Sequence, residues 1–237
     1  QAATKKKTEN PEYNVKGKKR KHLYNGDEIV NVIHALDPDI LGLQEVMNID
    51  VDNDWGYINW TEISDKLKLI GYELNNSFCG ADNDYFGNML IHKNTIKMSN
   101  YRSLTYNNSA VVSGNNEKGK RRCAIICETE INNTNYSIYC IHLDDTSRLG
   151  RNEFTDLIVE DMKKNINKKI LMGDFNSYRS DYPYQKLKSI NMNDCYSHKN
   201  LIPPSYTTWT GTEIDYIMVD NDLDKDTIMG CFTGHTP

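Results

Sequence analysis

Five short segments hold the residues whose types could do chemistry. Leu43-Gln44-Glu45-Val46, Ile141-His142-Leu143-Asp144, Met172-Gly173-Asp174-Phe175-Asn176-Ser177 and Ile214-Asp215-Tyr216-Ile217 each end or begin an apolar run with polar residues. Gly234-His235-Thr236-Pro237 is the fifth. Taken singly, each has a plain structural explanation: Glu45 as a strand-end carboxylate, His142 as a satisfied core histidine, Gly173-Asp174 as a turn. Taken together they form a chemical inventory. Carboxylates at strand ends can bind a hard divalent cation, two histidines can face an anion, and an asparagine can orient it. Hydrolysis of a phosphate ester needs these parts: charge neutralisation, a base for water, and donors for the phosphoryl oxygens.

The elements that would position these residues are legible from hydrophobic periodicity. Asp27 can cap a helix whose apolar stripe is Ile29, Val30, Ile33 and Leu36, stopped by Asp37-Pro38. A second helix is predicted from about Thr61 to Ile70 with Gly71 as its stop, and a third carries Phe154, Leu157, Ile158 and Met162. Strands are predicted at Ile40 to Val46, Phe86 to His92, Cys123 to Ile131, Tyr136 to Leu143, Lys169 to Gly173, Tyr206 to Trp209 and Ile214 to Val219. Tyr13-Asn14-Val15 is a weak strand candidate. Tyr101 to Lys120 and Ser177 to Ser205 read as long connections rich in Asn, Ser and Tyr. Runs of strands with a few helices between them imply sheets covered by helices, an α/β layered sandwich. Open sheets gather strand ends along one edge, where sites of this kind are usually built.

The order LQE, IHLD, GDFN, IDY and a terminal H-x-P resembles that of the endonuclease/exonuclease/phosphatase superfamily related to DNase I. Phe86-Gly87-Asn88-Met89-Leu90 and Arg122 also look like family positions, and the resemblance runs from about Asn14 to Pro237. It implies a four-layer α/β/β/α sandwich of two mostly antiparallel sheets, with the closing strand missing at the C-terminus. Position by position, Glu45 resembles the magnesium-binding glutamate and Asn14 the N-terminal asparagine of the same metal site. Asp174 resembles the carboxylate that orients or deprotonates the attacking water. Asn176 matches the asparagine that positions the phosphate, and His142 the donor to a phosphoryl oxygen. Asp215 and His235 are similar to an Asp–His pair. The implied cofactor is Mg2+, with Mn2+ as a substitute, and the implied activity is phosphodiester or nuclease-type hydrolysis. The chain departs from the pattern at Gly234, where the family has Asp; Asp144 or Asp145 could fill that gap. Phosphoinositide or sphingomyelin hydrolysis, or a binding role without turnover, remain the alternative readings.

Composition bounds the rest. The 237 residues carry 28 basic and 33 acidic side chains, a net charge of −5, which argues against a general nucleic-acid binder. Eight of the basic residues crowd positions 5 to 21. The expected organisation is a basic arm over 1–12 and a single domain over 13–237. No apolar run reaches the ~18 residues of a membrane span. A monomer acting on a phosphate-ester substrate, nucleic acid among the candidates, is expected. The six cysteines form no CxxC pair, so zinc has little support and reduced thiols in a reducing compartment are the default. Two motifs nearly fit. Gly114 to Lys120 has P-loop spacing but meets Arg121 where Ser or Thr is needed. Asp50, Asp52 and Asp54 alternate like a calcium loop but meet Trp55 in place of the turn glycine.

Overall fold

The computed structural model describes residues 26–47, 58–74, 78–83, 86–107, 121–201, 207–208 and 211–223. Tyr13 to Val15, Asn14, His235, Gly234, the Asp50–Asp54 segment and the Gly114–Lys120 segment lie outside the described residues.

Two sheets face each other. The first joins β1 (Ile40–Met47), β2 (Ile58–Asn59), β3 (Tyr72–Glu73), β4 (Phe78–Asn83) and β5 (Phe86–Lys93) in the order β2-β1-β5-β3, with β4 also paired to β5. The second joins β6 (Met98–Tyr106), β7 (Arg122–Ile131), β8 (Thr134–His142), β9 (Lys168–Asp174), β10 (Met192–Asp194) and β11 (Asp215–Asp220) in the order β10-β11-β9-β8-β7-β6. Among the described residues, only β1–β2 and β8–β9 are parallel pairs. The crossover between β8 and β9 is α3 (Arg148–Lys164).

Alternation along the strands builds three apolar layers. Ala124 and Ile126 of β7, with Tyr139 and Ile141 of β8, pack on Phe154, Ile158 and Met162 of α3 and on α4 (Tyr182–Ser189). Their neighbours Cys123, Ile125, Cys127, Ile138 and Cys140 point the other way, into the space between the sheets, where they meet Cys79, Ala81 and Leu90. Met89 and Ile91 of β5 join Leu43 and Val46 against α1 (Gly26–Leu36) and α2 (Trp60–Leu69). The order is therefore helix, sheet, sheet, helix, the four-layer α/β/β/α sandwich that the motif order implies. Gly42 lets β1 come close to the second sheet, since a Cβ there would sit 2.8 Å from Met172 Sδ and 3.1 Å from Cys140 Sγ.

The helix ends follow local chemistry. α1 begins one residue before Asp27, which lies in its first turn with Glu28, where acidic groups favour the helix dipole. Asp37 takes a positive φ of 46°, its N–H donates to Ile33 O at 2.9 Å, and Pro38 cannot continue the helix. Ser147 Oγ caps α3 by accepting from Gly150 N at 3.0 Å. Leu157, expected on the buried stripe of α3, is part-exposed.

Several sequence expectations are corrected. The stretch Tyr101–Tyr106 is the second half of strand β6, not loop. Among the described strands β6 lies at a sheet edge, with a bulge between Ser99 and Arg102 and no fully buried residue, so it lacks the clean alternation of an inner strand. The stretch from Ser177 holds α4, β10 and α5 (Cys195–His198), elements too short and polar to show a period. Within Tyr206 to Trp209, Thr207 and Thr208 form a turn, both N–H groups donating to Thr212 O, not a strand. The five described cysteines are free thiols, four of them buried. Among the described residues no helix is long and apolar enough to cross a membrane.

Candidate active site

Strand register brings three of the motif residues side by side. His142 on β8 pairs with Asp174 on parallel β9, and Asp174 pairs with Asp215 on antiparallel β11. Register partners share a face of a sheet. That face is the inner one, because His142 has the parity of Cys140 and Ile138, and Asp215 that of Val219. Gly173 makes the close pairing possible. Its φ is 147°, and a Cβ there would lie 2.0 Å from Ile141 O.

Just past β9 the chain turns sharply. Asn176 adopts a positive φ of 47°, which Asn tolerates better than most residues, and its N–H donates to Asp174 Oδ1 at 2.7 Å. Its Nδ2 donates to Leu143 O at 3.0 Å, which sets the orientation of the amide, since a carbonyl can only accept. Asn176 thus ties the end of β9 to the segment that follows His142. His142 Nε2 lies 3.9 Å from Asp174 Oδ2, neighbouring but not hydrogen-bonded.

Glu45 arrives from the other sheet. Between Leu43 paired with Met89 and Val46 paired with Gly87, two residues of β1 oppose one of β5, and Glu45 in this bulge has φ 59°. The opposed residue is Asn88, fully buried, whose Nδ2 crosses between the sheets to Cys123 O at 2.8 Å while its Oδ1 has no partner. The bulge re-aims a side chain at the rim, as bulges near functional sites do.

The electrostatics show that the carboxylates share one environment. Burial pushes Asp174 up to about 7, the charge of Asp215 adds to this, the Asn176 N–H opposes it, and Glu45 raises it further. Burial also raises Asp215, against the hydrogen bond from Thr207 Oγ1 at 2.6 Å. Among the described residues no three His, Cys, Asp or Glu side chains are grouped tightly enough to form a metal cage on their own. The donor chemistry nevertheless fits a hard cation: oxygen ligands only, crowded and desolvated enough that Asp174 holds a proton near neutrality.

Asp144 and Asp145, the acids that could fill the gap at Gly234, lie in the connection from β8 to α3, whereas Gly234 lies outside the described residues. Asp144 Oδ1 accepts from Thr146 N at 2.9 Å and Ser147 N at 3.0 Å, turning the chain into α3, and Asp145 pairs with buried Arg122 at 2.7 Å. Thr207 is the site residue that motif reasoning missed. Its Oγ1 also accepts from Ile214 N and Asp215 N, which only the folded turn reveals. Asn14 and His235 lie outside the described residues, so the structure brings together Glu45, His142, Asp174, Asn176 and Asp215.

The model of the Endonuclease/Exonuclease/phosphatase family matches residues 12–228, and the chain belongs to that family, one named for hydrolases of phosphate esters. The fold is shared with truncated Caenorhabditis elegans TDP2 at TM-score 0.59 and 19% identity, covering 84% of this chain and 77% of that one. The human Nocturnin catalytic domain with bound sulfate anion gives TM-score 0.57 and 22% identity, over 81% and 73% of the two chains. A Bacteroides thetaiotaomicron mannosyl-6-phosphatase gives 0.61 and 16%, over 83% and 76%. None of the curated proteins matches the chain.

Proposed function

We propose that the protein is a divalent-metal-dependent hydrolase of phosphate esters, of the phosphodiesterase or nuclease type. The observation that supports this best is the register-matched row His142, Asp174 and Asp215 on one inner sheet edge. The Glu45 charge is felt at Asp174 from the facing sheet. In this reading Glu45, with Asn14, holds Mg2+ or Mn2+. Bound there, such a cation would supply positive charge to the phosphoryl group.

The chain's own groups do the rest. Asp174, its proton affinity raised by burial and by like charges, accepts a proton from water near neutral pH. Asn176 spends one Nδ2 hydrogen on Leu143 O and keeps the second for a phosphoryl oxygen. His142, beside Asp174, donates to another. Asp215, steadied by Thr207, orients His235. The protein acts as a monomer, and nucleic acid is the first substrate class to examine.

Turnover of bis-p-nitrophenyl phosphate, with and without magnesium, tests the reading. Metal-dependent release of p-nitrophenol supports it, and its absence across DNA, RNA, inositol phosphates and sphingomyelin as well would leave a binding role. Full activity in a metal-stripped sample would remove the metal from the proposal.

A further inference from the structure

Arg179 lies three residues beyond Asn176, in the connection from β9 to α4. Its Nε donates to both oxygens of Glu213, at 3.0 and 2.9 Å, and its Nη2 donates to Glu213 Oε1 at 2.6 Å. Nη1 donates to Asp194 Oδ2 at 2.6 Å and to Tyr184 Oη at 2.8 Å. The guanidinium stands over the rings of Tyr184 and Tyr216, 5.3 and 5.4 Å from their centroids. A planar cation whose three nitrogens all donate has little freedom to move.

What it grips matters more than how tightly. Glu213 stands two residues before Asp215. Between them, Ile214 O accepts from Phe175 N at 2.8 Å, and Tyr216 Oη donates to Ser177 O at 3.2 Å and Glu213 O at 2.9 Å. The segments that carry Asn176 and Asp215 are thus sewn together beside the point where Asp174 and Asp215 meet. Carboxylates on adjacent strands repel when both are ionised, and a rigid frame keeps them adjacent.

We infer that Arg179 is a positioning residue for the site: through Glu213 it fixes the start of β11 and hence the placement of Asp215 and Asn176 against Asp174. The role rests on the hydrolase reading for its kinetic consequence, but not for its structural one. The Arg102–Asp161 pair, at 2.8 and 2.7 Å between β6 and α3, has similar fork geometry and lies in neither of the segments that carry Asn176 and Asp215, so it serves as the control.

The test combines kinetics with hydrogen-exchange mass spectrometry on Arg179→Ala, Glu213→Gln and Arg102→Ala. In Arg179→Ala, kcat for bis-p-nitrophenyl phosphate should fall roughly 100-fold, with KM little changed, as misplacement of reacting groups does. Amide exchange at 175–178 and 212–216 should accelerate about tenfold while β7 and β8 keep their protection. Free guanidinium at sub-denaturing concentration should restore part of kcat. Arg102→Ala should show none of this. Unchanged kcat in folded Arg179→Ala, or acceleration spread evenly over the second sheet, overturns the inference. If Arg179→Ala does not fold, Glu213→Gln must show the same local acceleration and kcat loss, and normal behaviour there also overturns it. If the wild-type protein hydrolyses none of the esters, the hydrolase reading fails, and the exchange pattern alone decides whether Arg179 positions these segments.

Discussion

Asp174 and Asp215 are register partners on antiparallel β9 and β11, so a buried and a half-buried carboxylate stand on adjacent strands at one sheet edge. Burial raises Asp174 to about 7, and the charge of Asp215 beside it adds to the rise.

Asp174→Asn should separate function from stability. Without the base, turnover should drop by roughly two to four decades. A carboxyl group whose folded value is raised to about 7 weakens the fold as pH rises from its unfolded value of 3.8 through 7, because the folded state binds the extra proton. The amide removes that penalty, so the variant should melt higher than wild type at pH 8 and alike at pH 3. Near wild-type turnover in a folded Asp174→Asn protein would remove the base from the mechanism.

A divalent cation should act on the same crowding. Magnesium or manganese is expected to raise the melting temperature of the wild-type protein, with a rise that grows logarithmically once the ion exceeds its dissociation constant. Glu45→Gln should lose most of that rise while keeping the melting temperature of the metal-free protein. Equal shifts in both proteins would place the ion elsewhere.

Acid should weaken the Arg179 frame. Burial alone would raise Asp194, but hydrogen bonds from Arg179, Ser197 and Tyr184 outweigh it and hold the carboxyl at about 2. A depressed carboxylate stabilises the fold above its unfolded value and loses that contribution as pH falls from about 4 to 2. Asp194→Asn should therefore cost about 2 kcal/mol at neutral pH and almost nothing near pH 2. Urea unfolding at the two pH values measures the difference.

Gly173→Ala tests the close pairing of β8 and β9. An added Cβ would meet the backbone of Ile141 at 2.0 Å, and backbone cannot step aside as a flexible side chain can. The variant should lose about 3 kcal/mol or more, or fail to fold, although the change is a single methyl group. A melting temperature within a few degrees of wild type would contradict the local geometry.

Much of this was legible in the sequence because the inner strands announce themselves. β1, β5, β7, β8, β9 and β11 are apolar runs, and the chemical residues stand at their ends. What stayed hidden depends on tertiary partners. β6 stands at the end of the described strand order and is exposed or part-exposed along its length, and α4 buries only Pro183, Tyr184 and Leu187 of its eight residues. Thr207 looked like part of a strand, and its bond to Asp215 exists only once the turn to Thr212 has formed. Arg179 and Glu213 left one trace, opposite charges flanking the GDFN and IDY motifs, which has meaning only when those motifs are adjacent.

Glu45 rides on one sheet, and His142, Asp174 and Asp215 ride on the other. The two halves therefore behave like the jaws of a caliper whose gauge is the apolar filling between them. Gly42, where a Cβ would meet Met172 and Cys140, is a point of close approach across that filling. A methyl group there would widen the jaws without touching any charged residue. Variation deep in the core thus offers this scaffold a way to retune its chemistry while every reactive side chain stays the same.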